Sequence, residues 1–333
     1  MITINATKIE KCHFPDGTQR LTDIPFNDFI HSDLVWIDWK YENDEELFTL
    51  YCLVRHIRAN FADKVKHLDL YLDYIPNARM DRVKSTDEVF TLKYFCEIIN
   101  LMGFDTVYVL DPHSDVSVAL LNNVRVKSFA DNFKKVIISI ASKNVKNGDN
   151  IKDDLVFYAP DAGACKRYSE LLAEYVRIGI PFVHGEKKRD WKTGKIEGLD
   201  IITNGVDLTG KTVIMIDDII SYGGTFYHSA NELKSRGVNK IYAYATHTED
   251  SLFSDSGTFK KCLEDGTVEC LYTTNSLLSF EIDETTYDTI EQTQTRPHLA
   301  HIKYKYEDVY NELKLLPDIY KGKIINIYGL SDI

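Results

Sequence analysis

The stretch IDDIISYGGTF at 216–226 ends an apolar run with two carboxylates, Asp217 and Asp218, and follows them with the turn Ser221-Tyr222-Gly223-Gly224-Thr225. N–H groups of a glycine-rich turn that opens a helix collect an anion, and adjacent carboxylates accept hydrogen bonds from hydroxyls. A sugar phosphate carries both kinds of group, so the segment reads as a sugar-phosphate site. A capped helix after a strand would account for the glycines but not for the neighbouring acids. Four more polar clusters stand at strand ends: Arg79 to Arg82, Asp111 to Asp115, Asp161 to Lys166 and His184 to Arg189. Ligands of open α/β sheets bind outside the carboxyl ends of the strands, and five clusters there exceed what helix capping requires.

A competing motif, GVDLTGKT at 205–212, satisfies G-x-x-x-x-G-K-[ST]. A phosphate-cradling loop of that kind follows a strand and opens a helix. Here Lys211 and Thr212 open the strand VIMI instead, so the match reads as a turn.

These residues need a scaffold, and the chain alternates strand and helix patterns throughout. LVWIDW (34–39), HLDLYLDYI (67–75), TVYVLD (106–111), DLVFYAPD (154–161), IPFVHG (180–185), KTVIMIDD (211–218), KIYAYATH (240–247) and VECLYTT (268–274) read as strands. Segments 44–60, 86–101, 128–141, 164–177 and 224–236 read as helices, with Gly103 and Gly237 as stops. Such alternation predicts an α/β fold of mainly parallel sheets covered by helices. NVKNGDNIKDD (144–154) is polar and turn-rich and suits a domain junction. The expected organisation is one domain over 1–145, a second over 146–300, and a tail over 301–333 that contains an amphipathic helix, KYEDVYNELKLL.

At 333 residues the chain suits two domains of about 150 residues. A net charge of −12 argues against a nucleic-acid surface, which needs a basic stripe. No apolar run approaches the roughly 20 residues of a membrane helix, and MITINATKIEK has no apolar signal core, so a soluble, cytoplasmic protein is expected. The six cysteines are scattered without metal-site spacing and read as buried thiols.

Taken together, the motifs resemble those of the ribose-phosphate diphosphokinases, also called phosphoribosyl diphosphate synthetases, in a divergent and phage-like form. HFPDG (13–17) resembles the family's Phe-Ser-Asp-Gly loop, NARMDR (77–82) its Tyr-Ala-Arg-Gln-Asp segment, and LDPHSD (110–115) its Asp-Leu-His. APDAGACKR (159–167) resembles Pro-Asp-Ala-Gly-Gly-Ala-Lys-Arg, and EKKR (186–189) the basic start of the catalytic flexible loop. The resemblance implies two phosphoribosyltransferase-like domains, a homo-oligomer (dimer or hexamer), and Mg²⁺-dependent transfer of the β,γ-diphosphate of ATP to the anomeric hydroxyl of ribose 5-phosphate.

Carried over by position, Phe14 would stack on adenine, Asp16 would hold the nucleotide, and Arg79 and Asp81 would serve the ATP site. His113, which also belongs to the ATP site, and Asp161, which also belongs to the acceptor site, would hold Mg²⁺, and Lys187 and Arg189 would close over the transferred group. Asp217 and Asp218 would bind the ribose hydroxyls, with Ser221, Tyr222, Gly223, Gly224 and Thr225 around the phosphate. The charged, glycine-containing stretch EKKRDWKTGKIEG (186–198) suits a lid over such chemistry, in which alignment and charge neutralisation do most of the work.

Departures from the family are also visible. Ser221 and Tyr222 stand where the phosphate loop usually has an acid and a threonine, Thr18 replaces a glutamate and Met80 a glutamine. Tyr222 adds a face on which a base could stack. It raises a second acceptor, ADP-ribose, used by phage-encoded relatives that rebuild NAD⁺. A plain phosphoribosyltransferase would not need the ATP features at Phe14, Arg79, His113 and Lys187, and a non-catalytic regulatory subunit would be expected to have lost the lid cations or metal ligands.

Overall fold

The computed structural model describes residues 1–30, 33–144, 154–189, 196–281, 314–315 and 324–326. The chain divides into two compact units at Lys127/Ser128.

The first unit holds β1 (Ile2–Ile4), β2 (Thr7–Lys8), β3 (Cys12–His13), β4 (Gln19–Arg20), α1 (Phe26–Phe29), β5 (Leu34–Trp39), α2 (Glu45–Asn60), β6 (His67–Leu72), α3 (Thr91–Met102), β7 (Thr106–Leu110), α4 (Asp115–Leu120) and β8 (Val124–Lys127). Its sheet runs β2-β1-β5-β6-β7-β8, parallel from β5 to β8, with β1 antiparallel to both its neighbours. Alternate residues Val35, Ile37, Trp39, Leu68, Leu70, Leu72, Val107 and Val109 point to one face. There they meet Leu50, Leu53, Val54 and Ile57 of α2 and Leu92, Phe95, Ile99 and Met102 of α3, each helix presenting residues three and four apart. Gly103 ends α3 in the left-handed conformation, the stop its position predicted.

The second unit holds α5 (Phe129–Asn144), β9 (Leu155–Ala159), α6 (Ala162–Ser169), α7 (Ala173–Arg177), β10 (Phe182–Arg189), β11 (Ile196–Ile202), β12 (Thr212–Ile220), α8 (Gly224–Ser235), β13 (Lys240–Thr248), α9 (Lys260–Glu264), β14 (Leu271–Thr273), β15 (Phe280–Glu281), β16 (Lys314–Leu315) and β17 (Ile324–Asn326). Its main sheet runs β11-β10-β9-β12-β13-β14-β17 and is parallel except for β11. Both faces are buried, which explains why its central strands read as unbroken apolar runs. Val156, Tyr158, Val213, Met215, Ile241 and Ala243 face α8, whereas Phe157, Ile214, Ile216, Tyr242 and Tyr244 face α5 and α6.

Two expectations change here. The junction lies before α5 rather than in 144–154, because Phe129, Phe133, Val136 and Ile140 of that helix pack on Phe157, Tyr168 and Tyr244 of the second unit. Of the helix expected over 305–316, Lys314 and Leu315 are described. They form β16, whose backbone pairs with β15, while Ile324–Asn326 adds an edge strand beside β14. The remainder of that helix lies outside the described residues. Among the cysteines, Cys96, Cys262 and Cys270 are buried, but Cys12 is exposed on β3. The stretch before β12 is a turn, with Gly205 and Gly210 at positive φ and Thr212 opening the strand.

Candidate active site

Strand β9 leads through α6 to β10 on one side of the sheet, and β12 leads through α8 to β13 on the other. The chain therefore reverses direction across the sheet between β9 and β12, and a crevice opens at their carboxyl ends. Asp161 and the Asp217–Asp218 pair stand at these two ends.

Asp161 is the N-cap of α6, its Oδ1 accepting from the N–H groups of Gly163 and Ala164, both at 3.0 Å. Asp218 is buried and forms an ion pair with Arg167 near the far end of the same helix. The two acids of the opening motif thus part company: Asp218 is held by a cation of the protein, and Asp217 is half-buried, its Oδ1 accepting from the Asp218 N–H at 2.9 Å. The Asp217 carboxyl is pushed well above the usual carboxylate range, first by removal from water, then by the neighbouring Asp218 charge, with Asp161 adding to it. Hydroxyl donors arriving at Asp217 would favour its charged form, so ligand binding and proton release are linked there.

Gly223 caps α8 at a φ of 77°. A Cβ at this position would overlap the Cβ of Phe259, so only glycine fits on both counts. Among the described residues, the N–H groups of Gly223, Gly224, Thr225 and Phe226 have no protein acceptor. Four such donors at the start of a twelve-residue helix make an anion site. Tyr222 beside them is 53% exposed.

In the first unit, the hairpin β3–β4 displays Phe14, 49% exposed, with the Arg20 guanidinium 6.0 Å from its ring centre. Asp16 lies at the tip and accepts from the Thr18 hydroxyl at 2.7 Å and the Thr18 N–H at 3.0 Å. Those bonds hold its carboxyl below the usual range. Thr18, one of the departures, is thus what locks the loop. The hairpin base is tied to α2: His13 Nε2 lies 2.6 Å from Glu45 Oε1, and the Gln19 amide donates to the Glu45 carbonyl at 3.0 Å.

Beyond β6, Asn77 takes a φ of 63°, Arg79 is exposed and Asp81 is half-buried, 3.5 Å from Arg82. Beyond β7, Asp111 is buried with a φ of 40° and His113 is half-buried just before α4. Positive φ at two non-glycine motif residues is the kind of backbone strain that gathers at working sites.

Lys187 and Arg189 lie on β10, paired with β11 in the register Lys187↔Leu199 and Arg189↔Ile196, with a shift between Lys188 and Arg189. Their side chains, and residues 190–195 of the expected lid, lie outside the described structure. Sequence reasoning missed two participants. Arg167 was visible as the end of APDAGACKR, but its partner was not. Thr258, which donates to the Tyr222 carbonyl, carries no sequence signal at all.

An acid pair and a glycine-rich helix entry at the switch point of a parallel sheet define a phosphoribosyl transferase domain, and the model of that domain family matches residues 125–265. Along most of its length the chain is similar to proteins described as ribose-phosphate pyrophosphokinases. The relative from Saccharolobus solfataricus is 28% identical over 74% of this chain and 78% of its own. That from Listeria ivanovii is 26% identical over 90% and 86%. The crystal structure of a phosphoribosylpyrophosphate synthetase from Mycobacterium smegmatis shares the fold, with a TM-score of 0.62 at 19% identity over 84% of this chain and 82% of that one. Among the described residues, no helix is long and apolar enough to cross a membrane.

Proposed function

We propose that this chain transfers the β,γ-diphosphate of ATP to the anomeric hydroxyl of ribose 5-phosphate, giving phosphoribosyl diphosphate and AMP. The observation that carries the reading is the half-buried Asp217 near the carboxyl end of β12, followed by the start of α8 with four N–H groups that have no protein acceptor among the described residues. In this reading those N–H groups bind the 5-phosphate, and Asp217 accepts from ribose hydroxyls while Arg167 balances Asp218. The anomeric oxygen attacks the β-phosphorus, the bond from that phosphorus to the bridging α,β-oxygen breaks, AMP departs and the hydroxyl proton is released. Holding both substrates in line and neutralising charge supplies most of the acceleration in such transfers.

Phe14, Asp16, Arg79 and Asp81 are assigned to the nucleotide, and Lys187 and Arg189 to the transferred group. Mg²⁺, which would neutralise phosphate charge when bound, is assigned to Asp161 and His113. Among the described residues no three His, Cys, Asp or Glu side chains gather as a metal cage. Mg²⁺ is a hard cation that takes oxygen ligands and keeps several waters, so the Asp161 carboxylate would suit it better than the His113 imidazole. The enzyme is expected to work as a homo-oligomer.

The exposed Tyr222 supports a second reading with the same chemistry on ADP-ribose, whose adenine could stack on the ring. The test is to incubate the protein with ATP, Mg²⁺ and either acceptor and identify the products by mass. AMP release with ribose 5-phosphate supports the first reading, release with ADP-ribose alone the second, and release with neither refutes both.

A further inference from the structure

The loop Ser221–Thr225 is held from outside its own stretch. After β13 the chain makes a 3-10 turn, Asp250–Phe253, and returns to lie against the loop. The Glu249 N–H donates to the Ile220 carbonyl at 2.8 Å. Thr258 then makes two bonds to a single atom: its N–H donates to the Tyr222 carbonyl at 2.8 Å and its Oγ1 donates to the same oxygen at 3.1 Å, with the Phe259 N–H at 3.4 Å.

A trans peptide sends its N–H in the direction opposite to its C=O. With the Tyr222 carbonyl turned onto Thr258, the N–H of Gly223 is turned away from it. A left-handed residue followed by a right-handed helix start then brings successive N–H groups to one side, the geometry of an anion nest. Gly223 has that left-handed conformation and α8 begins at Gly224. The fit is close: Thr258 Oγ1 would be 3.9 Å from a Cβ on Gly224, and Phe259 leaves no room for one on Gly223. Phe259 is itself buried in the core with Leu252 and Phe226, so the clamp is anchored.

We propose that Thr258 is a positioning residue for the phosphate-binding loop, its hydroxyl and amide together fixing the Tyr222 peptide so that the N–H groups of Gly223 to Phe226 converge on one phosphate. The inference rests on the reading of this loop as the acceptor's phosphate site. Thr258 touches no reacting atom; it acts through the loop backbone. The hydroxyl can be removed while the amide bond is kept, which separates the device from the fold.

The experiment compares the full-length protein with Thr258→Val and Thr258→Ser. Calorimetry measures affinity for inorganic phosphate, ribose 5-phosphate and ATP, and steady-state kinetics give KM and kcat. Thr258→Val is expected to weaken phosphate and ribose 5-phosphate about fivefold, the equivalent of one net hydrogen bond. ATP affinity and kcat should stay near wild type, and Thr258→Ser should restore acceptor affinity. Unchanged acceptor affinity in Thr258→Val, equal weakening of ATP, or failure of the serine variant to restore binding would each overturn the proposal. If the valine variant does not fold, Thr258→Ala replaces it under the same criteria. A wild-type protein that binds neither phosphate nor ribose 5-phosphate refutes the site reading itself, an outcome distinct from tight binding that Thr258→Val leaves intact.

Discussion

The ion pair between Arg167 and Asp218 offers the sharpest test of how the second unit divides its acids. Replacing Arg167 with Met keeps most of the apolar stem and removes the cation, leaving the Asp218 carboxylate uncompensated beside Asp217. Removing one partner of a fully buried pair costs about 3–5 kcal/mol, whereas exposed pairs contribute about 0.2–1 kcal/mol. The Asp218 side chain is 4% exposed and that of Arg167 24%, which sets this pair near the buried limit. Arg167→Met is therefore expected to lose about 2–4 kcal/mol, and Arg167→Met with Asp218→Asn to recover most of it. The measurement is a urea titration followed by far-UV circular dichroism, with hydrogen exchange on peptides of β12 to report on the second unit. A loss below about 0.5 kcal/mol, or the same loss with and without the Asp218 charge, would refute the assignment of Arg167 as that charge's partner.

Four further outcomes are expected. Burial raises the Asp38 carboxyl to about 6 from 3.8, so the folded state binds this proton more tightly than the unfolded chain, and the associated stability is present below 3.8 and lost as pH rises through about 6. Asp38→Asn, which keeps an acceptor for the Thr3 hydroxyl, should gain up to about 3 kcal/mol over wild type between pH 3.5 and pH 7.5 in urea titrations, and parallel pH profiles would refute this. Asp217→Asn should raise the KM for the acceptor well above any change for ATP, while raising stability at neutral pH because it removes a carboxyl whose ionised form the fold disfavours. Gly223→Ala should lose about 1–2 kcal/mol from its φ alone, more from overlap with Phe259, and most acceptor affinity, read by thermal melting and calorimetry. Phe14→Ala should raise the KM for ATP with little change in melting temperature, since the ring is half exposed; an unchanged KM would assign the adenine contact elsewhere.

Much of this architecture could be read from residue order, for reasons that are local. Period-two burial in β5 to β7, and runs apolar on both faces in β9, β12 and β13, follow from which faces are covered. The polar clusters beyond β6, β7, β9 and β12 were legible because a loop of a few residues fixes where such a side chain lies, whereas His184 to Arg189, expected past a strand end at 185, lies within β10 because the strand continues to Arg189 paired with β11. What escaped reading depends on distant partners or on very short elements. The two-residue strands β3 and β4 have no period to detect, yet their register fixes the hairpin that carries Phe14. The pairing of Asp218 with Arg167, and of Tyr222 with Thr258, joins segments that only the folded sheet brings together. The placement of α5 was missed because polarity marked 144–154, whereas the deciding contacts are aromatic and tertiary.

Helix α6 carries Asp161 as its cap and Arg167 near its end, so eight residues tether two separate acids of the crevice at once. Rotating or lengthening it by one residue would move both tethers together, and no single substitution could repair the two. Attempts to recast the crevice for a different ligand should accordingly transplant that helix whole and leave Thr258 and Phe259 of the 249–259 return untouched.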